Sequence, residues 1–286
     1  MSFESRDTVA PEDISCRYGA SRLQCRGPLR RPAPGYIAFL GGDETFGRFV
    51  AEPFVALVEG GLGRDCVNLG CVNGGLDAYL HDEDLLAMAG AADLVVIQPL
   101  AAQNLGNRFY RVHPRRNDRF LMAEPGLMAL FPEVDFTEFH FINHLLAGLN
   151  RVSPERFAQV RAELQRTWTA RMRSLVRAIN VPVLLLWLRY EQVSGADGAE
   201  PPGDLVPLAR DMLDAVGAAR VLDIPVMSSA AAGELSGMTC PPFRLAVAER
   251  LIGPAMHRVI AARLLAEPML RQMNGKRPAG SGGPLL

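Results

Sequence analysis

The sequence predicts an α/β protein with a five-stranded parallel sheet. Three observations predict it: five short runs that are almost wholly apolar, a glycine-bearing or polar loop directly after each of the first three, and stretches of helical spacing between them. Apolar strands that alternate with helices belong to a parallel sheet covered on both faces.

Taken in order, residues 1–35 form an N-terminal arm. Its run from Gly27 to Gly35 holds Pro28, Pro32 and Pro34, which suit neither helix nor inner strand. The regular pattern starts with a strand over 36–40, then the loop GGDETFG and a helical stretch from Arg48 to Gly60. The unit repeats as a strand over 66–70, the loop CVNGG and a helix from about Leu76 to Ala91. A third strand over 93–98 leads into the long loop AAQNLGNRFYRVHPRRNDRF. A helical insertion follows over about 122–180, its long helix starting at Ser153-Pro154-Glu155, where serine caps, proline suits the first turn and the acid complements the dipole. Strands over 182–188 and 220–226 complete the sheet, with a helix near Leu205 to Ala219 between them. The closing helical region, Pro242 to Met273, breaks at Gly253-Pro254. One domain over 36–273 and a Gly/Pro-rich tail over 274–286 are expected, since 286 residues at 49% hydrophobic content can bury one substantial core.

A formal net charge of −1 gives no global attraction to nucleic acid or to an anionic membrane. The longest apolar run, Val181 to Leu188, is far too short to span a bilayer, and the first residues lack the apolar core of a signal peptide. Cys16, Cys25, Cys66, Cys71 and Cys240 are odd in number and lack CxxC spacing, which argues against a disulfide framework and a structural zinc. A cytoplasmic protein without cofactor or metal is expected. Against 29 arginines stands one lysine, Lys276 in the tail, which argues against Walker-A, lysine-dependent phosphoryl-transfer and Schiff-base chemistry.

Ligands of an open parallel sheet bind beyond the carboxyl ends of its strands, so the first three loops form the candidate site. Gly41, Gly42 and Gly47 let the backbone turn sharply, with Asp43, Glu44 and Thr45 in the turn; Asp43 or Thr45 can also simply cap the following helix. The loop from Gly70 to Gly75 offers N–H groups, including that of Asn73, to an anion, while Cys71 reads as a buried thiol. The third loop presents Gln98, Gln103, Asn104 and Asn107, amides able to bind a carbonyl or oxyanion or to satisfy loop backbone. Beyond it, Arg108, Arg111, Arg115, Arg116 and Arg119 suit carboxylate, phosphate or sulfate recognition, or else a solvated face paired with Glu124, Glu133 and Glu138. His140 and His144, four apart, lack an HExxH frame, and packing among phenylalanines is preferred to a metal.

FLGGDETFG, VNLGCVNGG and VVIQ with its Asn-rich loop resemble the opening blocks of the SGNH or GDSL hydrolase superfamily over about residues 36 to 110. From about Tyr18 onward most of the chain resembles a bacterial domain-of-unknown-function family. The superfamily resemblance implies a flavodoxin-like three-layer α/β/α sandwich, with Gly70 and Asn104 or Asn107 as oxyanion donors. Two departures stand out: Asp43 occupies the nucleophilic serine's position, and the late DxxH is missing, leaving His257 as the histidine near that part of the chain.

Two readings follow. In one, an SGNH-like enzyme acts on a small anionic or acylated metabolite: Asp43 or Thr45 is nucleophile or base, His257 is acid/base, Gly42, Gly70, Asn73, Gln103, Asn104 and Asn107 bind the ligand or oxyanion, and Arg108, Arg115 and Arg116 hold the anion. In the other, the protein is inactive and binds an anionic ligand or a protein partner through the same crevice. A nucleotide- or S-adenosylmethionine-binding transferase is disfavoured, because Asn68-Leu69-Gly70 lacks the acidic ribose partner.

Overall fold

The computed structural model describes residues 14–191 and 205–274; expectations for the first residues, for the tail beyond Asn274 and for Lys276 lie outside the described residues. Strands β1 (Ile37–Leu40), β2 (Cys66–Asn68), β3 (Leu94–Ile97), β4 (Val183–Tyr190) and β5 (Arg220–Val226) form one sheet in the order β2, β1, β3, β4, β5. All neighbours are parallel, with Ile37 beside Cys66 on one side and beside Leu94 on the other. This is the doubly wound order whose switch point lies between β1 and β3.

Each expected strand is present, with ends moved by small steps that have local causes. At β2 the ladder continues as far as Leu69, whose N–H donates to Phe39 O. It stops at Gly70, whose N–H turns back to the Asn68 side chain.

Successive side chains of a strand point to opposite faces, and the core divides accordingly. Ala38, Leu40, Val67, Val95, Ile97 and Leu185 enter one hydrophobic cluster, and Ile37, Phe39, Cys66, Leu94, Val96 and Leu184 enter the other. The first face is covered by α3 (Leu76–Leu80), α4 (Glu83–Gly90), α5 (Ile142–Val152) and α6 (Pro154–Ile179); the second by α2 (Phe54–Leu62) and α7 (Pro254–Ala266). The protein is therefore a three-layer α/β/α sandwich.

Helix α6 forms because Phe157, Val160, Leu164, Trp168, Met172, Leu175 and Ile179 recur every three or four residues and bury one stripe. Ser153 Oγ accepts the Arg156 N–H at its start, and Asn180 ends it in a left-handed conformation. Trp168 donates its indole N–H to Leu100 O at 2.8 Å, so burying the ring leaves no orphan donor. The helix expected over 76–91 is divided into α3 and α4, because Asp82 starts a new helix by accepting the Leu85 N–H. That expected from Arg48 begins only at Phe54, since Gly47 and Phe49 take positive φ and Pro53 precedes the first turn.

Part of the long third loop is an antiparallel hairpin that the residue pattern does not reveal. Tyr110–Val112 pairs with Phe120–Ala123, and Arg115 and Arg116 form its tip. Residues Ser15–Cys16 and Cys25–Arg26 pair as a second small hairpin against the body. No helix among the described residues is long and apolar enough to cross a membrane.

Candidate functional site at the strand carboxyl ends

The loop after β1 is organised by one amide. Gln98, just after β3, accepts through Oε1 from the Gly42 N–H (3.2 Å), the Thr45 N–H (3.2 Å) and the Thr45 hydroxyl (2.6 Å). Its Nε2 donates to Glu44 Oε2 at 2.7 Å, and the Tyr190 hydroxyl at the end of β4 donates to Glu44 Oε1 at 2.8 Å. Burial, with the Asp43 carboxylate as second cause, pushes the Glu44 carboxyl above the usual range. Short helix α1 (Asp43–Phe46) thus joins β1, β3 and β4 across the switch point. Neither Asp43 nor Thr45 caps it: Gly42 holds that position without a side-chain bond.

Asp43 lies in this turn with its carboxylate engaged: Arg48 Nη1 is 2.8 Å from Oδ1, and Asn73 donates its N–H to Oδ2 at 3.1 Å. Asn73 adopts φ +55°, which aims that N–H at Asp43. Thr45, expected as an alternative nucleophile, is instead buried, and its proton goes to an amide oxygen that cannot act as a base. Gly42 and Gly70, expected to donate to a ligand, are likewise committed, Gly42 to Gln98 and Gly70 to Asn68 Oδ1 at 2.9 Å. Gly70 is required for another reason: a Cβ there would lie 2.4 Å from the Phe46 nitrogen.

His257 is the largest correction. It is buried in α7, stacks on Phe54 and accepts the Phe54 N–H through Nδ1 at 3.0 Å, so it satisfies the start of α2. Burial pushes its pKa down to about 3, which keeps it neutral. In the third loop, Asn107 bonds Leu105 O and the N–H groups of Phe109 and Tyr110, shaping its own turn and not an oxyanion site. Gln103 reaches Asn143 at 3.4 Å and leaves a buried Oε1 without a partner. Arg108 also departs from its expected role, pairing with Glu163 at 3.2 Å and lying over the Phe109 ring. His144 packs against Phe139, and the described residues contain no metal-ligand cluster of His, Cys, Asp and Glu.

Two cavities meet at Asn73. The first, about 500 Å³, lies at the switch point and is lined by Gly42, Asp43, Glu44, Asn104, Asp118 and Tyr190 among others. The second, about 580 Å³, is lined by Arg17, Arg22, Arg48, Arg115, Arg116 and Arg244 with His113, and by no carboxylate among the described residues. Asp43 lines the first and Arg48 the second, and the two side chains are paired. At the hairpin tip, His113 Nδ1 accepts the N–H groups of both Arg115 and Arg116 at 3.2 Å, which fixes these two backbones.

Several supporting residues escape sequence reasoning. Arg26 is buried and donates to the carbonyls of Phe46, Gly47, Val50 and Ala51, so the N-terminal hairpin holds the chain leaving α1. Arg17 and Arg22 lie on the same N-terminal segment. Cys25 and Cys71 lie with sulfurs 3.6 Å apart in the core, where the neighbouring sulfur and burial raise the Cys25 thiol. The Gly-Gly-Asp-Glu-Thr turn marked a candidate site, but nothing in the sequence paired Glu44 with a tyrosine 146 positions later.

A family model described as Domain of unknown function (DUF6473) matches residues 1–274. No curated protein matches significantly. Among solved structures, a catalytic mutant of an acetylxylan esterase from Geobacillus stearothermophilus aligns at 16% identity and TM-score 0.40, over 84% of this chain and 96% of that one. A lipase from goat rumen metagenome aligns at 11% identity and TM-score 0.42, covering 81% and 96%. A family two carbohydrate esterase from Clostridium thermocellum aligns at 12% and 0.42, covering 88% and 68%.

Proposed function

The chain belongs to the Domain of unknown function (DUF6473) family, and for this member we propose recognition of a small anionic metabolite where the loops after β1, β2 and β3 meet the 110–123 hairpin. The observation that carries this reading is the arginine-lined cavity beside Asn73, which has no lining carboxylate among the described residues. Guanidinium groups match carboxylate, phosphate and sulfate oxygens two at a time, and a fixed hairpin tip lowers the ordering cost of binding. Asp43, the acid paired with Arg48, is neutralised by that arginine and by the Asn73 N–H. Arg115 and Arg116 are exposed and make no ion pair among the described residues.

Acyl transfer through the superfamily's usual machinery is not part of this reading. The position of the serine is held by a paired carboxylate, the Thr45 hydroxyl donates to an amide, and His257 is occupied at the start of α2. A second reading, turnover in the adjoining 500 Å³ cavity, is favoured by Glu44, which lines that cavity with a carboxyl that burial raises, as general acid–base work requires.

The test is a thermal-shift and calorimetric series with orthophosphate, sulfate and citrate on the wild type and on the Arg115→Gln/Arg116→Gln variant. The reading expects one of these anions to stabilise the wild type, and the variant to lose about 2–4 kcal/mol of binding with its own stability nearly unchanged. Equal affinity in both proteins would make the two arginines a solvated face.

A further inference from the structure

We infer that the anion bound in the arginine-lined cavity is multiply charged, carrying two or more linked phosphoryl groups. This deepens the anion-binding reading above and rests on it. Two arginine pairs from separate parts of the chain face one cavity: Arg17 and Arg22 from the N-terminal segment, and Arg115 and Arg116 from the hairpin tip. None of the four makes an ion pair among the described residues, and Arg48, Arg244 and His113 add further cationic or N–H-bearing lining. Near neutral pH a single orthophosphate carries at most about two negative charges, fewer than the four guanidinium charges of the two pairs. A diphosphate adds a second linked phosphoryl group and so supplies one for each pair.

Both pairs stand on anchored backbone, so the cavity does not have to be assembled by the ligand. At the tip, His113 Nδ1 accepts from Arg115 and Arg116, the Arg119 N–H returns to Arg116 O, and Asn117 Nδ2 donates to His113 O. On the other side Arg22 lies between buried Ser21 and Leu23, four residues before buried Arg26.

The acids nearest this segment line a different cavity, and two of them hold the chain in place. Arg22 and Arg115 also border a neighbouring cavity that includes Asp82 and Asp84. Asp82 accepts from the Ser21 hydroxyl and the Leu85 N–H, and Asp84 accepts from the Ala20 N–H. These bonds hold the N-terminal segment against α4, and Arg17 and Arg22 of that segment line the same cavity as the hairpin tip.

The experiment is titration calorimetry in magnesium-free buffer with orthophosphate, pyrophosphate, tripolyphosphate, ADP and a single-stranded oligonucleotide. Pyrophosphate and tripolyphosphate are expected to bind at least about tenfold tighter than orthophosphate, one added charge-assisted contact being sufficient for that. Arg17→Gln/Arg22→Gln is expected to bring pyrophosphate down to the orthophosphate affinity and to leave orthophosphate itself unchanged, while Arg166→Gln, remote on α6, alters neither. ADP binding as tightly as pyrophosphate supports the proposal and identifies the diphosphate as one that can be carried on a nucleoside. Orthophosphate binding as tightly as pyrophosphate overturns the proposal and leaves the anion reading standing. Failure of every anion to bind overturns both, and preference for the oligonucleotide over every small probe replaces a small ligand with a nucleic-acid strand.

Discussion

The Tyr190 hydroxyl donates to Glu44 Oε1 at 2.8 Å, joining the end of β4 to the first turn after β1. On the other carboxylate oxygen Glu44 accepts from Gln98, so three strands converge on one acid that burial and Asp43 hold above its ordinary pKa. An acid whose folded pKa is raised binds more protons folded than unfolded at intermediate pH. Stability therefore falls as pH rises from the ordinary carboxylate range through the folded pKa, and is level beyond it. Glu44→Gln is expected to remove this component. Urea midpoints of both proteins from pH 4 to pH 8 measure it; parallel curves for the two would show that Glu44 ionises as freely folded as unfolded.

His257 acts with the opposite sign. Its folded pKa is lowered to about 3 against an ordinary value of 6.5, so below that ordinary value the unfolded chain takes up a proton that the folded one refuses. Stability is complete above about pH 6.5 and falls by up to about 1.4 kcal/mol per pH unit between there and the folded pKa. His257→Gln retains an acceptor for the Phe54 N–H and is expected to flatten this acid limb. His257→Leu leaves that N–H unpaired and is expected to cost about 1–3 kcal/mol even at pH 8.

Arg26→Met removes the donor shared by four carbonyls while retaining most of the apolar stem. A loss of about 2–4 kcal/mol is expected, because buried carbonyls left unpaired keep their full desolvation penalty. Chemical denaturation with circular dichroism reads it directly. A change within about 0.5 kcal/mol, the range of ordinary surface substitutions, would mean that water reaches those carbonyls.

Conventional serine-esterase chemistry is expected to be absent. A fluorophosphonate probe should leave Gly41 to Gly47 unlabelled, and p-nitrophenyl acetate hydrolysis should not depend on Asp43 or His257. Intact mass followed by peptide mapping is the measurement. A phosphonyl adduct on Thr45 that disappears in His257→Ala would restore a working hydrolase and require the loop to open away from Gln98.

The sequence by itself determined the sheet, because strands such as Leu94–Ile97 are buried on both faces and so consist of continuous apolar runs with loops at their ends. It also marked a candidate ligand region, since the carboxyl ends of parallel strands converge by topology alone and Gly41-Gly42, Asn73 and the arginines lie there. What it could not determine is which side chains remain available. Thr45 and Gly70 read as site residues until Gln98 and Asn68 engage them, and His257 reads as a base until the Phe54 N–H, 203 positions earlier, takes its lone pair. The same holds for the pairing of Arg17 and Arg22 with Arg115 and Arg116 across one cavity. Hydrophobic periodicity is a local, repeated signal carried along a strand or helix, whereas a hydrogen bond or a shared cavity joins single residues far apart in the chain. Only the folded packing decides which of those residues meet.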